Sequence, residues 1–170
     1  MVKGGRKMVN SIILIGPRQW GEDHQAYLRK NKTTSIQYSA KVSRHVENRL
    51  NQFRGTAFRL YIYVPKKYTC DGKIPSYLGS GKVEFRGRVI DFRVSRTPIP
   101  SPWPTINGPM RYDKFQSFQY EYWFRVDVLE NCDLEISEFE IELTNRSLRN
   151  YSVDEFARIW RGNIVFAIEP

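Results

Sequence analysis

Lys82-Val-Glu-Phe-Arg-Gly-Arg-Val-Ile-Asp-Phe-Arg-Val-Ser95 is the stretch that decides the fold. Val83, Phe85, Gly87 and Val89 alternate with polar residues, the period of a strand that buries one face. After Val89 the series restarts as Ile90, Phe92 and Val94, so the buried face shifts by one residue. Such a shift predicts a bulge or a sharp bend, a device that curls sheets toward barrels.

The flanking sequence agrees. Gln116 to Glu130 reads as the clearest strand, with Phe118, Tyr120, Tyr122, Phe124, Val126 and Val128 on one face. Its other face carries Ser117, Gln119, Glu121, Trp123, Arg125 and Asp127. Ser11-Ile-Ile-Leu-Ile15 is a short buried strand stopped by Gly16-Pro17. Asp23 is placed to cap a short helix through about Lys30, and Thr34–Ser39 is extended. From Ala40, the residues Val42, Val46, Leu50 and Phe53 recur at helical spacing up to Gly55, with Lys41, Arg44, Arg49 and Arg54 on the opposite side. Ala57–Val64, Phe139–Leu143 and Asn163–Ile168 are further strands, and Ser152-Val-Asp-Glu155 is a capping box opening a helix through Trp160. The expected fold is therefore α+β, a small curled mixed sheet or barrel flanked by short helices. Residues 1–10 are expected to be a flexible lead-in to a single domain over 11–170.

Composition narrows the function. The 170 residues carry a net charge of +9, unevenly placed. Residues 1–67 hold 14 Lys and Arg against 3 Asp and Glu, whereas residues 68–170 hold 13 against 15. Asp127 to Glu142 contains seven acidic groups and no basic one. A segregated positive surface attracts polyanions. There is no apolar run long enough for a membrane span and no signal-peptide pattern at the start, so a cytoplasmic protein is expected. Cys70 and Cys132 lack metal-ligand spacing and read as free thiols. His24 and His45 form no metal cluster, and no catalytic elbow or Cys/His arrangement stands out. Gly79-Ser-Gly-Lys82 is not a phosphate loop: Ser76 replaces its first glycine, Val83 its metal-binding hydroxyl, and a strand follows. It reads as a hairpin turn. Neither an enzyme nor a cofactor or metal is expected.

Binding chemistry remains. Arg96 to Met110 holds five of the nine prolines and reads as a long loop, neither helix nor central strand. Trp103, fixed between Pro102 and Pro104, is either a pre-organised stacking surface or a plug on the sheet. Trp20, placed in a loop after Gly16-Pro17, and Trp123, opposite the main apolar face, carry the same ambiguity, with packing favoured.

The order of elements resembles the PUA-like superfamily, and within it the YTH and EVE domains, over nearly the whole chain from Ile12 to Ile168. Tyr38-Ser39 stands where YTH domains have a cage Trp followed by Ser. Val42–Phe53 matches the following helix, and Phe58-Arg-Leu-Tyr-Ile-Tyr63 and Gly81–Val89 match the strands that come next. Pro102-Trp103 matches the second cage Trp, and Phe118–Val128 the long aromatic strand. The resemblance implies an aromatic cage for a methylated base, with Tyr38 and Trp103 as walls and Ser39 as a polar contact. Tyr38 departs from the usual Trp. The chain also resembles the amino-terminal domains of archaeal McrB-type restriction proteins, which implies recognition of a modified base in DNA, a motor domain in the same full-length chain and a nuclease partner. A base inside a duplex must be flipped to enter a cage, and phosphate contacts help offset that cost. Arg44, Arg49, Arg54, Lys66, Lys67, Arg86 and Arg88 are the expected phosphate contacts. An RNA-binding module and a protein-interaction domain with a basic face are the alternatives.

Overall fold

The computed structural model describes residues 8–66, 79–104, 106, 119–142 and 164–170. Its elements run β1 (Ser11–Ile15), α1 (Arg18–Lys30), β2 (Thr34–Tyr38), α2 (Arg44–Asn51), β3 (Phe58–Val64), β4 (Lys82–Ile99), β5 (Tyr120–Leu134), a 3-10 turn (Ile136–Glu138), β6 (Glu140–Glu142) and β7 (Val165–Ile168). The strands make one seven-stranded mixed sheet in the order β2-β5-β4-β3-β1-β7-β6. It is not closed into a barrel: β2 and β6 are its two ends. β1 runs parallel to β3, and the other pairs are antiparallel.

β1 is buried throughout because it lies between β3 and β7 with a core on each face. This is why its sequence is a continuous apolar run rather than an alternating one. Ile12 and Leu14 join Leu60, Ile62, Phe85, Phe92, Tyr122 and Phe124 in the larger core, which α1 and α2 cover with Trp20, Val46 and Leu50. Ile13 and Ile15 point the other way, into a smaller core with Tyr61, Val83, Ile136, Phe139 and Ile141. Of residues 1–10, expected to be loose, Val9 is buried and Asn10 bonds to Ala167 and Glu169. Residues 1–7 lie outside the described residues.

α1 begins six residues earlier than the Asp23 cap implied, its cap being Pro17. Pro17 occupies the position before its first turn with φ −74° and ψ 153°. Proline suits helix entry, since its φ is already set and its missing N–H would have had no partner. Asp23 is thus inside the helix, and Trp20 is on it rather than in a loop. Trp20 is 4% exposed, and a side-chain carbon at Gly16 would come within 2.4 Å of its ring, so glycine there lets the indole seat. α2 is shorter than the periodicity from Ala40 implied. It starts after Ser43, whose Oγ accepts the Val46 N–H at 3.2 Å. Gly55, at φ +83°, turns the chain toward β3.

The register shift foreseen near Val89 is present, and it is double. Val89 pairs with Val126 and Asp91 with Arg125, so Ile90 is an extra residue on β4. Arg88 pairs with Val128, so Asp127 is an extra residue on β5. Both strands therefore exchange faces at the same place and the sheet bends sharply. Two expectations fail as a consequence: Ile90 does not share the face of Phe92 and is 42% exposed, and Val128 leaves the apolar face and is 43% exposed. Leu129 turns inward instead. A further shift between Val83 and Phe85 moves Val83 to the smaller core.

β4 is also longer than expected, extending through Arg96-Thr-Pro-Ile99 in the proline-rich stretch. Proline fits there because β3 flanks only Lys82 to Val89 of β4, and the ladder to β5 is interrupted between Val94 and Ile99. Gly79–Lys82, read as a hairpin turn, is the incoming arm of the β3–β4 hairpin beside Val64 and Pro65, and residues 67–78 between the arms lie outside the described residues. The N–H groups of Gly79 and Gly81 donate to Pro65 and Val64 carbonyls, and Gly81 has φ +74°. The helix expected over Ser152–Trp160 lies outside the described residues, as do Phe118 and Leu143. No helix among the described residues is long and apolar enough to cross a membrane.

Candidate nucleic-acid interface

The five expected pocket residues do not come together. Tyr38, 8% exposed, is the cross-strand partner of Tyr122 and belongs to the larger core with Ile36 and Phe124. Trp20 is in the same core. Trp123 pairs with Gln37 on one side and Arg93 on the other, so strand alternation points it to the opposite face. It is fully buried, and its Nε1–H donates to the Ile99 carbonyl at 2.8 Å. Tyr120 meets its ring edge-on. Ser39 is exposed, just beyond the end of β2.

Trp103 lies on the Trp123 side. The Arg93 guanidinium is 5.3 Å from its ring centroid, and that of Arg125 is 6.0 Å. Arg93 and Arg125 belong to successive outward rows of the sheet, Arg93–Trp123–Gln37 and Asp91–Arg125–Ser35. The loop holds itself in place by local bonds. The Trp103 N–H donates to Ser101 Oγ at 3.1 Å, the Ser101 hydroxyl donates to the Trp103 carbonyl, and Ser35 Oγ donates to the Pro104 carbonyl at 3.4 Å. Trp103 remains half-exposed. Tyr38 and Trp103 are thus on opposite faces of the sheet and do not form two walls of one cage.

The expected phosphate contacts divide into two groups. Arg49 donates to both oxygens of Glu142 at 2.7 Å. Arg88 is clamped on Asp127, and Arg86 pairs with Glu130 at 2.8 Å. These three guanidinium groups already hold carboxylates. Arg54 bonds to Asn51 and covers the Phe92 ring at 4.5 Å. Arg44 and Lys66 are exposed and have no carboxylate partner among the described residues. Lys67 lies outside the described residues.

The charge segregation read from the sequence is therefore partly cancelled in space. Five of the seven acidic groups of Asp127–Glu142 pair with Arg49, Lys82, Arg86 and Arg88. Exposed cations outside these ion pairs include Arg29, Lys30 and Lys32 around the end of α1 and a margin where β2 ends and β5 begins. Lys41 and Arg44 are exposed there, and the Tyr122 hydroxyl donates to the Lys41 carbonyl at 3.0 Å, tying that segment to the sheet. Arg96 reaches Glu47 of α2 at 3.5 Å, an exposed pair of little strength.

Arg93 and Arg125 were missing from the sequence-level candidates because they read only as the polar side of alternating strands. Their functional signal is spatial: both guanidinium groups converge on one loop tryptophan. A half-exposed indole with guanidinium groups over its ring joins an aromatic surface to cations, the two elements that hold a base and its phosphates. Comparison with family models, curated proteins and solved structures finds no match for this chain.

Proposed function

We propose that this chain is a non-catalytic nucleic-acid-binding domain that stacks a base on Trp103 and draws the phosphate backbone along the Lys41–Arg44 margin. The observation that carries this reading is the convergence of Arg93 and Arg125 on Trp103, 5.3 and 6.0 Å from its ring. The charge of +9 supports it. The finer reading is a methylated base flipped from a duplex, with the domain as the specificity module of a McrB-type restriction system. It rests on the PUA-like resemblance and on Trp103 alone as wall, since Tyr38 is committed to the core.

The test is a binding titration against matched duplexes, unmodified and carrying N-methylated adenine or 5-methylcytosine, at two salt concentrations. A preference of about tenfold for one modified duplex, roughly 1.4 kcal/mol, is the outcome expected of a modified-base reader. Equal, strongly salt-dependent binding to all duplexes rejects the finer reading and leaves the coarser one. RNA competing better than matched DNA moves the assignment to an RNA module, because only RNA offers a 2′-hydroxyl. No binding to any of them rejects both.

A further inference from the structure

Four Lys and Arg side chains among the described residues are half-buried: Arg49, Lys82, Arg86 and Arg125. A cation drawn partly out of water needs an anion, and three of the four have one. Arg49 holds Glu142, Lys82 holds Asp133 and Glu135, and Arg86 holds Glu130. Among the described residues Arg125 alone of the four has no carboxylate, and its Nε is enclosed with no acceptor among them. The nearest acid in the ladder is Asp91, its cross-strand partner. Asp91 is engaged by other donors: its Oδ1 accepts the Phe92 N–H at 2.8 Å and Arg93 Nη1 at 3.2 Å. An enclosed cationic donor left unmet is costly, and a bound anion would relieve that cost.

We infer that Arg125 is a phosphate-binding residue of the interface, in addition to the Lys41–Arg44 margin. It takes a phosphodiester oxygen of the nucleotide whose base stacks on Trp103. A nucleotide carries both groups one sugar apart, and the structure presents their two receptors side by side. The ligand class follows. A base within an intact duplex has no free face to offer an indole, so the site suits an unpaired nucleotide, single-stranded or extruded. This inference rests on the nucleic-acid reading above.

The experiment is fluorescence anisotropy with a short labelled single-stranded DNA and the same sequence as a duplex, over a series of salt concentrations. Wild type, Arg125→Gln, Trp103→Ala and Arg59→Gln are compared. Arg59, on β3, pairs with Glu169, and its variant controls for net charge. Wild type is expected to favour the single strand. Arg125→Gln is expected to weaken binding about tenfold and to lower the slope of log affinity against log salt by about 0.7 to 1. Trp103→Ala is expected to weaken binding with the slope retained, and Arg59→Gln to leave both in place. If Arg125→Gln does not fold, Arg125→Met keeps the apolar stem and reads the same slope. A folded Arg125 variant with wild-type affinity and slope overturns the inference while leaving the interface. Wild type that binds neither oligonucleotide overturns the nucleic-acid reading beneath it.

Discussion

His24 is the residue whose chemistry departs furthest from its free state. It is fully enclosed on α1, with Nδ1 3.0 Å from Thr34 Oγ1, its Nε2 unmet and the Trp20 ring edge-on to it. Burial pushes its pKa down from 6.5 to about 3, against a weaker opposing pull from the Gln37 side chain. The folded protein thus keeps the imidazole neutral where the unfolded chain takes a proton. The stabilisation is complete above pH 6.5 and drains away as pH falls toward 3, by up to one proton's worth of free energy per pH unit. Urea unfolding at several pH values is expected to show His24→Gln losing stability less steeply than wild type across that window; identical slopes would remove His24 from the acid response. Little of this was legible beforehand. A lone histidine at helical spacing from Trp20 reads as ordinary until the helix is known to begin at Arg18. Tyr38 and Trp103 teach the same limit from the other side. Order along the chain matched both to one pocket, but alternation in β2 sends Tyr38 inward while the loop after Ile99 folds over the outer face.

At the scale of elements, the strands were the most readable part. A continuous apolar run placed β1, and strand patterns placed β3 and the cores of β4 and β5, to within a few residues. The double bulge was half legible. The apolar series on β4 breaks visibly after Val89, but the compensating break on β5 hides behind Val128, an apolar residue that happens to face solvent. The helices were placed less well, because Pro17 and Ser43 both start helices at points the apolar spacing does not mark. α2 depends on more than its hydrophobic stripe. Arg49 fixes it to β6 through a two-pronged bond to Glu142, whose carboxylate is nearly enclosed. Glu142→Gln keeps the shape, but removes the charge from a pair that is shielded from water. We expect a loss of about 1–3 kcal/mol, read as a lower urea midpoint with an unchanged slope. A loss below about half a kcal/mol would mean that the contact behaves as an ordinary surface pair.

For the whole molecule, the α+β class and the mixed, strongly bent sheet follow from the pattern of elements, whereas the open topology does not. A bulged strand is compatible with both a barrel and a curled sheet, and the choice depends on whether the terminal strands meet. Here β2 ends one side and β6 the other. The surface charge was legible as a total but not as a map, because partners such as Arg49 and Glu142 lie far apart in sequence and cancel only once folded. The position of β1 also has a consequence for how the molecule is made. The first strand waits for the last: Ser11 Oγ reaches the Ala167 carbonyl across 156 positions, while β3 is already available on its other side. Such distant closure is slow, since the entropy of joining the ends must be lost before any contact repays it. Refolding in stopped-flow is expected to fall in the millisecond-to-second range, and microsecond folding would contradict this order of events. On the ribosome, the emerging chain holds a hydrogen-bonding edge of Ile12 and Ile13 unpaired until Val165 and Phe166 arrive, an interval in which neighbouring nascent chains compete for the same edge.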